Sequence, residues 1–248
     1  TRAGPPRTWE QLRKAAKILT EYDQTGRLVR VGFIPNYGNS WLYLYGWLNG
    51  GEYLSPNGET CTLNSQPIVD ALAYMTELYD DMGGAQAVYT FQSSMQSGDL
   101  DPFLTGKVAM KIDGSWFLQS IAQYKRDLNF GLVAAPAPEG KPQFGWCGGW
   151  SYVIPKGAKH PDETWELIKY LVSKRAYGIQ VRTMRQQAQG VGMPFIPTIH
   201  ARSDLMQWAM QTQFESDPSI EPKFKEAMRN FLDIMPQSRY RPVTPAGE

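Results

Sequence analysis

The chain has 248 residues, of which 42% are hydrophobic and 20% charged, and its 25 basic residues nearly balance its 24 acidic residues. This composition is typical of a globular protein with one large or two modest domains, and it argues against nucleic acid or an anionic membrane as partner. Cys61 and Cys147 lie far apart and outside any CxxC motif or Cys/His cluster, which argues against a disulfide scaffold and against a zinc site.

Hydrophobic periodicity and turn residues predict helices that alternate with strands along most of the chain. Thr8 and Gln11 form a capping box at the start of the first helix. The predicted elements are, in chain order, a helix to about Tyr22, a strand at 28–34, a helix from Asn39 to Gly50, short paired strands around Tyr53 and Cys61, a helix from Asn64 or Ser65 to Met82, a strand at 107–112, a helix from near Ser115, strands at NFGLVAAPAP and SYVIPKG, and a helix from Pro161.

The remainder of the chain, from about Ser173, is predicted to be mostly helical with proline breaks. In the helix from Pro161, the apolar positions that should face inward are Trp165, Leu167, Ile168 and Leu171. Strands that alternate with helices predict an α/β fold. The proline-rich segment APAPEGKPQ and the tail MPQSRYRPVTPAGE are the candidates for segments that pass between subdomains.

Motifs for catalysis are absent from the sequence: there is no P-loop, no GxGxxG after a strand, no GxSxG and no HExxH. His160 and His200 stand next to surface-like residues, which does not favour a metal site or a catalytic triad. The paired carboxylates at Asp99 with Asp101, and at Asp80 with Asp81, are interpreted as solvated faces. We therefore predict no catalytic residues, no metal, no cofactor and no enzymatic activity.

The aromatic residues carry the strongest functional signal. Tyr37, Asn39 and Trp41 follow the break at Pro35, between a predicted strand and a helix, and Trp116 follows KIDG in a similar place. Ends of strands and starts of helices in α/β folds are where ligands bind, because free backbone N–H groups and loop side chains converge there. Any one of these aromatic residues could instead pack in the core.

A sugar would explain this combination of residues. A pyranose ring has one face of C–H groups, which stacks on an aromatic ring, and a rim of hydroxyls that requires hydrogen-bonding partners. The stretch FGWCGGW supplies two more indoles and two glycines that allow the backbone to approach a ligand. Its candidate residues are Trp146, Gly148, Gly149 and Trp150.

Several ordered blocks of sequence carry a family resemblance: PPRTWEQLRKAAKIL, WLNGGEYL, FLTGKVAMKIDGSW, GGWSYVIPKGAKHPDETWELIKYLVS and DIMPQSRYRPVTP. With these blocks, nearly the whole chain resembles the extracellular solute-binding proteins of carbohydrate ABC importers, the family that includes maltose-binding protein. The resemblance implies a type II periplasmic-binding-protein-like fold, with two α/β lobes, crossing segments, a ligand cleft and hinge closure.

The resemblance also implies an assignment of the chain to lobes. Residues 1–145 would form the second lobe, residues 146–236 a mostly helical returning part of the first lobe, and residues 237–248 a segment that crosses back. By comparison with the family, the chain is expected to be a fragment without its signal sequence, the opening half of the first lobe and the C-terminal helices. The segment 146–236 is therefore expected to expose an unusual apolar area.

The family's ligand contacts map onto this sequence residue by residue. Tyr37, Asn39 and Trp41 match the loop after an early strand of the second lobe, and Trp116 matches the aromatic residue that stacks on the sugar. Gly148 and Gly149 match the glycine pair at the crossing. Trp146 and Trp150 are added by adjacency, and Tyr43 is added as a residue that helix periodicity could instead turn into the core.

The resemblance implies a non-enzymatic protein outside the cytoplasmic membrane, in the periplasm or anchored at the cell surface as a lipoprotein. It would act as a monomer, bind a sugar or oligosaccharide, and deliver it to ABC permease subunits. One alternative is a carbohydrate-active enzyme or a fixed-shape sugar-binding module that uses the same aromatic residues. Another is a binder of a non-sugar solute, such as a glycerol phosphodiester or a peptide, on the same scaffold.

Overall fold

The computed structural model describes residues 4–149 and 151–241, which form two compact units. The larger unit contains the residues up to Cys147 and those from Arg229 onward, and the smaller unit runs from Gly148 to Met228. The assignment of these segments to lobes stays a prediction. The larger unit contains α1 (Trp9–Leu19), β1 (Glu21–Tyr22), β2 (Leu28–Gly38), α2 (Leu42–Leu48), α3 (Gln66–Asp80), α4 (Ala85–Ser93), β3 (Val108–Ile112), α5 (Phe117–Tyr124), β4 (Trp146–Cys147) and, near its end, β5 (Arg239–Tyr240).

The smaller unit is mostly helical. Its helices are α6 (Pro161–Leu171), α7 (Lys174–Gly190), α8 (Ser203–Ala209), which continues as a π-helix to Phe214, and α9 (Pro222–Ile234), whose last residues belong to the larger unit. Short 3₁₀ helices lie at Gly98–Leu100 and Met235–Gln237. Among the described residues, no helix combines the length and apolar character needed to cross a membrane.

The central sheet of the larger unit has the order β1-β2-β3, with β1 antiparallel and β3 parallel to β2. Strand β2 extends to Gly38, beyond the predicted end at Ile34. The pairing of β2 with β3 is irregular between Phe33 and Gly38, a stretch that contains Pro35, which has no N–H to donate to the ladder. The pairing resumes at Gly38, opposite Ile112, so both strands reach the same edge.

Two apolar clusters pack against β2, where residues 31–35 are all buried. The first combines residues of α1, β2, α2 and α3, namely Leu12, Ala16, Phe33, Tyr45, Ala71, Tyr74, Met75 and Leu78. The second combines residues of β2, α4 and β3 with one residue after α3, namely Val31, Ile34, Met82, Val88, Phe91 and Val108. A strand buried on both faces in this way is typical of an α/β layered fold, and the predicted fold class agrees with this arrangement.

Helix α1 begins as its sequence predicts. The Thr8 hydroxyl accepts a hydrogen bond from the Gln11 backbone N–H at 3.2 Å, and the Gln11 side chain accepts one from the Arg7 backbone N–H at 2.9 Å. The helix ends at Leu19, before the predicted end at Tyr22, because residues 21–22 join the sheet as β1.

Helix α1 lies directly against β2 at Gly32. A Cβ atom at Gly32 would come within 2.2 Å of the Ala16 carbonyl oxygen, so only glycine allows this approach. The Thr20 hydroxyl bridges the two elements, since it donates to the Ala16 carbonyl at 2.8 Å and accepts from the Gly32 N–H at 3.0 Å. The helix is therefore held against the strand by backbone contact as well as by side-chain packing.

Two predicted strands are wrong. The segment NFGLVAAPAP has no regular strand, because Pro136 and Pro138 cannot donate to a ladder; only Ala137 pairs, with Arg7 and Trp9. In SYVIPKG, at 151–157, the described residues form no strand, and Val153 is 72% exposed. A β-branched run forms a strand only when it has a partner for its backbone hydrogen bonds.

Helix α6 of the smaller unit differs from its predicted orientation. It forms from Pro161 as expected, but none of its residues is buried, and Trp165 and Leu167 are both more than half exposed. The apolar core of this unit lies on other helices and on the segment between α7 and α8. Its central residues are Tyr177, Val181, Phe195, Leu205 and Ala209.

Candidate functional site

The candidate site lies where β2 and β3 end at the same edge of the sheet. Gly38 pairs with Ile112 in a parallel ladder, and the Asn39 N–H donates to the Ile112 carbonyl at 2.8 Å. Two loops leave this edge, residues 39–41 after β2 and residues 113–116 after β3. We call them the first and the second loop. The carboxyl ends of parallel strands are the usual place for ligands in α/β proteins.

The first loop holds the Trp41 side chain at the surface. The indole is 46% exposed, and its N–H donates to the Asn39 side-chain oxygen at 2.9 Å. Between them, Ser40 is buried, and its hydroxyl lies 2.8 Å from the Tyr45 hydroxyl, which donates to the Pro35 carbonyl at 3.0 Å. Buried hydrogen bonds thus fix the loop below an exposed aromatic ring.

The buried Tyr45 hydroxyl should contribute measurably to stability. We expect Tyr45→Phe to lower the free energy of unfolding by about 1–3 kcal/mol, because the Pro35 carbonyl and the Ser40 hydroxyl lose their partner. Urea unfolding measures the change. Tyr89→Phe, at a tyrosine that is 68% exposed on α4, is the control, and equal losses in the two variants would contradict the prediction.

The second loop holds the Trp116 side chain, which is 52% exposed. The indole lies against Gly114, since a Cβ atom there would come within 2.2 Å of the ring. Trp116 also precedes α5 directly, so the helix fixes the backbone on one side of the ring and β3 fixes it on the other. The two loops therefore each present one exposed tryptophan that is held in place by its own loop.

A charged cluster, formed by Asp101, Lys111 and Asp113, lies beside the ends of β2 and β3. The Lys111 ammonium group is 2.7 Å from an Asp113 carboxylate oxygen and 3.4 Å from an Asp101 carboxylate oxygen. Asp101 also accepts from the Tyr37 hydroxyl at 3.0 Å. Burial, and then the Asp101 charge, raises the pKa of the Tyr37 phenol well above its ordinary value, which keeps the hydroxyl protonated as a donor.

Trp146 contacts the first loop, and Tyr43 contacts Trp146. The Trp146 indole N–H donates to the Asn39 carbonyl at 3.3 Å, and the Trp146 and Tyr43 rings meet edge to face with centroids 5.5 Å apart. The Arg241 guanidinium lies 5.4 Å from the Trp146 ring. Burial raises the pKa of the Tyr43 phenol to about 12. Tyr43 is thus partly packed, as one alternative from its helix position predicted, and it still belongs to this aromatic group.

The structure places six of the nine predicted site residues in the larger unit. Asn39, Trp41, Tyr43 and Trp146 lie in one connected group, Tyr37 lies at the end of β2, and Trp116 stands on the second loop at the same edge of the sheet. Gly148 and Gly149 belong to the smaller unit and are exposed, and a Cβ atom at Gly149 would meet nothing within 4 Å. Trp150 lies outside the described residues. A ligand-binding role for all nine stays a prediction.

Three residues of the charged cluster were not predicted for the site. The interpretation of Asp101 as part of a solvated face is wrong, because its side chain is only 15% exposed and binds Tyr37 and Lys111. Lys111 and Asp113 lie close to Trp116 in the segment KIDGSW. This pair of opposite charges at a strand end is the sequence feature that could have indicated that both residues belong to the site. Among the described residues there is no group of His, Cys, Asp and Glu side chains suited to hold a metal ion.

The chain matches a known family of proteins. The family model described as bacterial extracellular solute-binding protein matches residues 1–178 of this chain.

Solved structures share the fold over almost the whole chain. CpMnBP1 with mannobiose bound is 23% identical with a TM-score of 0.69, over 97% of this chain and 55% of its own. The maltose/maltodextrin-binding domain MalE from Bdellovibrio bacteriovorus, bound to maltotriose, is 22% identical with a TM-score of 0.62, over 98% of this chain and 57% of its own.

A third structure is the cyclic α-maltosyl-1,6-maltose binding protein from Arthrobacter globiformis, which is 20% identical with a TM-score of 0.56, over 98% of this chain and 55% of its own. The chain thus spans little more than half the length of the structures it matches. The predicted type II periplasmic-binding-protein-like fold is confirmed by these matches.

Proposed function

Because the chain belongs to the bacterial extracellular solute-binding proteins, we propose that it is part of the substrate-binding component of an ABC importer and that its ligand is a sugar or oligosaccharide. The proposal includes an extracytoplasmic location, delivery of the ligand to permease subunits, and enclosure of the ligand in a cleft between lobes. Family membership supports these parts, and the sugars named with the matched structures support the ligand class.

One observation in the structure supports a sugar as the ligand. Two half-exposed indoles, Trp41 and Trp116, stand on the two loops that leave one edge of the sheet. Exposed indoles cost free energy in water, and both are held in place by loop contacts that do not bury them. A pyranose face can cover such rings, and nearby hydroxyl, amide and carboxylate groups can pair with the hydroxyls around its rim.

The polar groups near the indoles suit a polyhydroxylated ligand. The side-chain oxygens of Asn39 and Asp113 can each accept a further hydrogen bond from a sugar hydroxyl, whereas the Tyr37 hydroxyl proton is already donated to Asp101. Closure around the ligand requires that the ligand bind the closed form of the protein more tightly than the open form. A ligand with equal affinity for both forms does not shift the equilibrium between them. The match to a family of solute-binding proteins supports a binding protein over an enzyme.

Calorimetric titration tests the proposal. We expect saturable binding of mannotriose or maltotriose, and at a ligand concentration a hundredfold above Kd a gain of about 2.7 kcal/mol in unfolding free energy. A glycerol phosphodiester is the anionic probe, and reducing-sugar release is measured on the same samples. Binding without release supports the proposal, release of reducing sugar would assign an enzyme, and binding of the phosphodiester alone would assign a different ligand class.

A further inference from the structure

Lys111 holds an unusual position for a lysine, because its side chain is only 5% exposed. It lies in β3, one residue before the strand ends and two residues before the second loop begins. A buried ammonium group is costly unless it is paired with carboxylates and further contacts. Its neighbours therefore indicate what this lysine does.

The first set of contacts links Lys111 to the second loop. Its ammonium group pairs with Asp113 at 2.7 Å and lies 3.6 Å from the centre of the Phe117 ring. Asp113 and Phe117 stand on either side of the segment that carries Trp116, and the other Asp113 oxygen accepts from the Gly114 N–H at 2.8 Å. The segment is thus held by Lys111 at both of its ends.

The second set of contacts links Lys111 to the strand end before the first loop. Its ammonium group lies 4.7 Å from the Tyr37 ring centre and 3.4 Å from Asp101, which in turn accepts from the Tyr37 hydroxyl. The aliphatic part of Lys111 also packs at Gly38, where an added Cβ atom would be 3.0 Å from the Lys111 Cε atom. Gly38 immediately precedes Asn39, the first residue of the first loop.

We propose that Lys111 is a positioning residue that fixes the two tryptophan-bearing loops relative to each other, so that ligand affinity depends on it without its touching the ligand. The inference rests on the proposed saccharide function. Its physical basis is preorganisation: loops that are already ordered lose less freedom when a ligand binds. The ammonium group contacts both Asp101, which binds Tyr37, and Asp113, which lies in the loop of Trp116.

Removal of Lys111 alone would leave two buried carboxylates without their cation, and such a variant could unfold. The test therefore uses Lys111→Met combined with Asp113→Asn, which keeps the net charge of the cluster at one negative. Asp101 retains its hydrogen bonds from Tyr37 and from the Phe103 N–H. Asp113→Asn alone shows any direct contribution of Asp113 to ligand binding.

The experiment is a thermodynamic cycle with Trp116→Ala, in which calorimetry measures the Kd for mannotriose or maltotriose. We expect the combined variant to bind roughly tenfold more weakly, and we expect Trp116→Ala to cost roughly tenfold less in that background than in the wild type. A purely structural role would not couple to Trp116. Lys107→Met is the matched control, because this lysine immediately precedes β3 and is exposed, and its Kd should be unchanged.

The outcomes separate the two proposals. A wild-type protein that binds neither mannotriose nor maltotriose overturns the proposed saccharide function, and with it the role of Lys111. If the wild type binds a saccharide, then an equal cost of Trp116→Ala in both backgrounds overturns the role of Lys111, and so does a loss that Asp113→Asn reproduces in full. A reduced Trp116→Ala cost in the combined variant, with unchanged binding in Lys107→Met, supports it.

Discussion

Replacement of Trp116 by alanine is expected to weaken saccharide binding by roughly ten- to a hundredfold, because the free energy of covering a large apolar side chain is lost. The indole is 52% exposed and is held against Gly114, so the ring needs no rearrangement to stack on a sugar. The free energy of unfolding should change little, because the Trp116 ring contributes little to the buried core.

A matched control exists on another helix. Trp165 on α6 is 53% exposed, almost the same fraction as Trp116. We expect Trp165→Ala to leave the Kd for mannotriose or maltotriose unchanged, as measured by calorimetric titration of both variants. Equal losses of affinity in the two variants, or no loss in Trp116→Ala, would contradict the assignment of Trp116 to the site.

Replacement of Gly32 by alanine is expected to lower the free energy of unfolding by about 3 kcal/mol. The added Cβ atom would come within 2.2 Å of the Ala16 carbonyl oxygen, which is backbone of α1 and cannot rotate away. Helix α1 would have to move from β2, and the Thr20 hydrogen bonds to Ala16 and Gly32 would lengthen.

The control for this substitution is Gly131→Ala. A Cβ atom at Gly131 would meet nothing within 4 Å, and the Gly131 backbone is outside the left-handed region. Its unfolding free energy should be unchanged or slightly raised, because alanine restricts the unfolded chain. Urea unfolding compares both variants with the wild type, and a Gly32→Ala protein as stable as the Gly131→Ala protein would disprove the close approach of α1 to β2.

Features that depend on neighbouring residues could be predicted from the sequence. The cap at Thr8 involves a residue three positions away, and the exposed Trp116 follows the end of β3, which the hydrophobic pattern locates correctly at Ile112. Where patterns failed, a distant partner decided the outcome. The segment SYVIPKG has the composition of a strand, but a strand also requires a neighbour to accept and donate its backbone hydrogen bonds.

The charged cluster shows that contacts between distant residues also limit what can be predicted about the site. Tyr37 and Asp101 are 64 positions apart, and nothing in either local sequence predicts that their side chains meet. Asp101 resembles a solvated carboxylate because Asp99 and the polar segment QSSMQSG precede it, whereas its side chain is largely buried and contacts Tyr37 of β2 and Lys111 of β3. Aromatic residues were easier to assign, since their number and their positions after strands are both visible in the sequence.

The parallel pairing of β2 with β3 also determines when the sheet can form while the chain is being synthesised. Gly38 pairs with Ile112, so a ribosome must add roughly seventy residues after β2 before its partner strand exists, and closure of so long a loop costs conformational entropy. Until then, the apolar residues at 31–35 lack that neighbour and invite association with other chains. The nascent chain therefore carries an unpaired apolar strand over this interval, and it gains the two-loop site only after residue 116 has emerged.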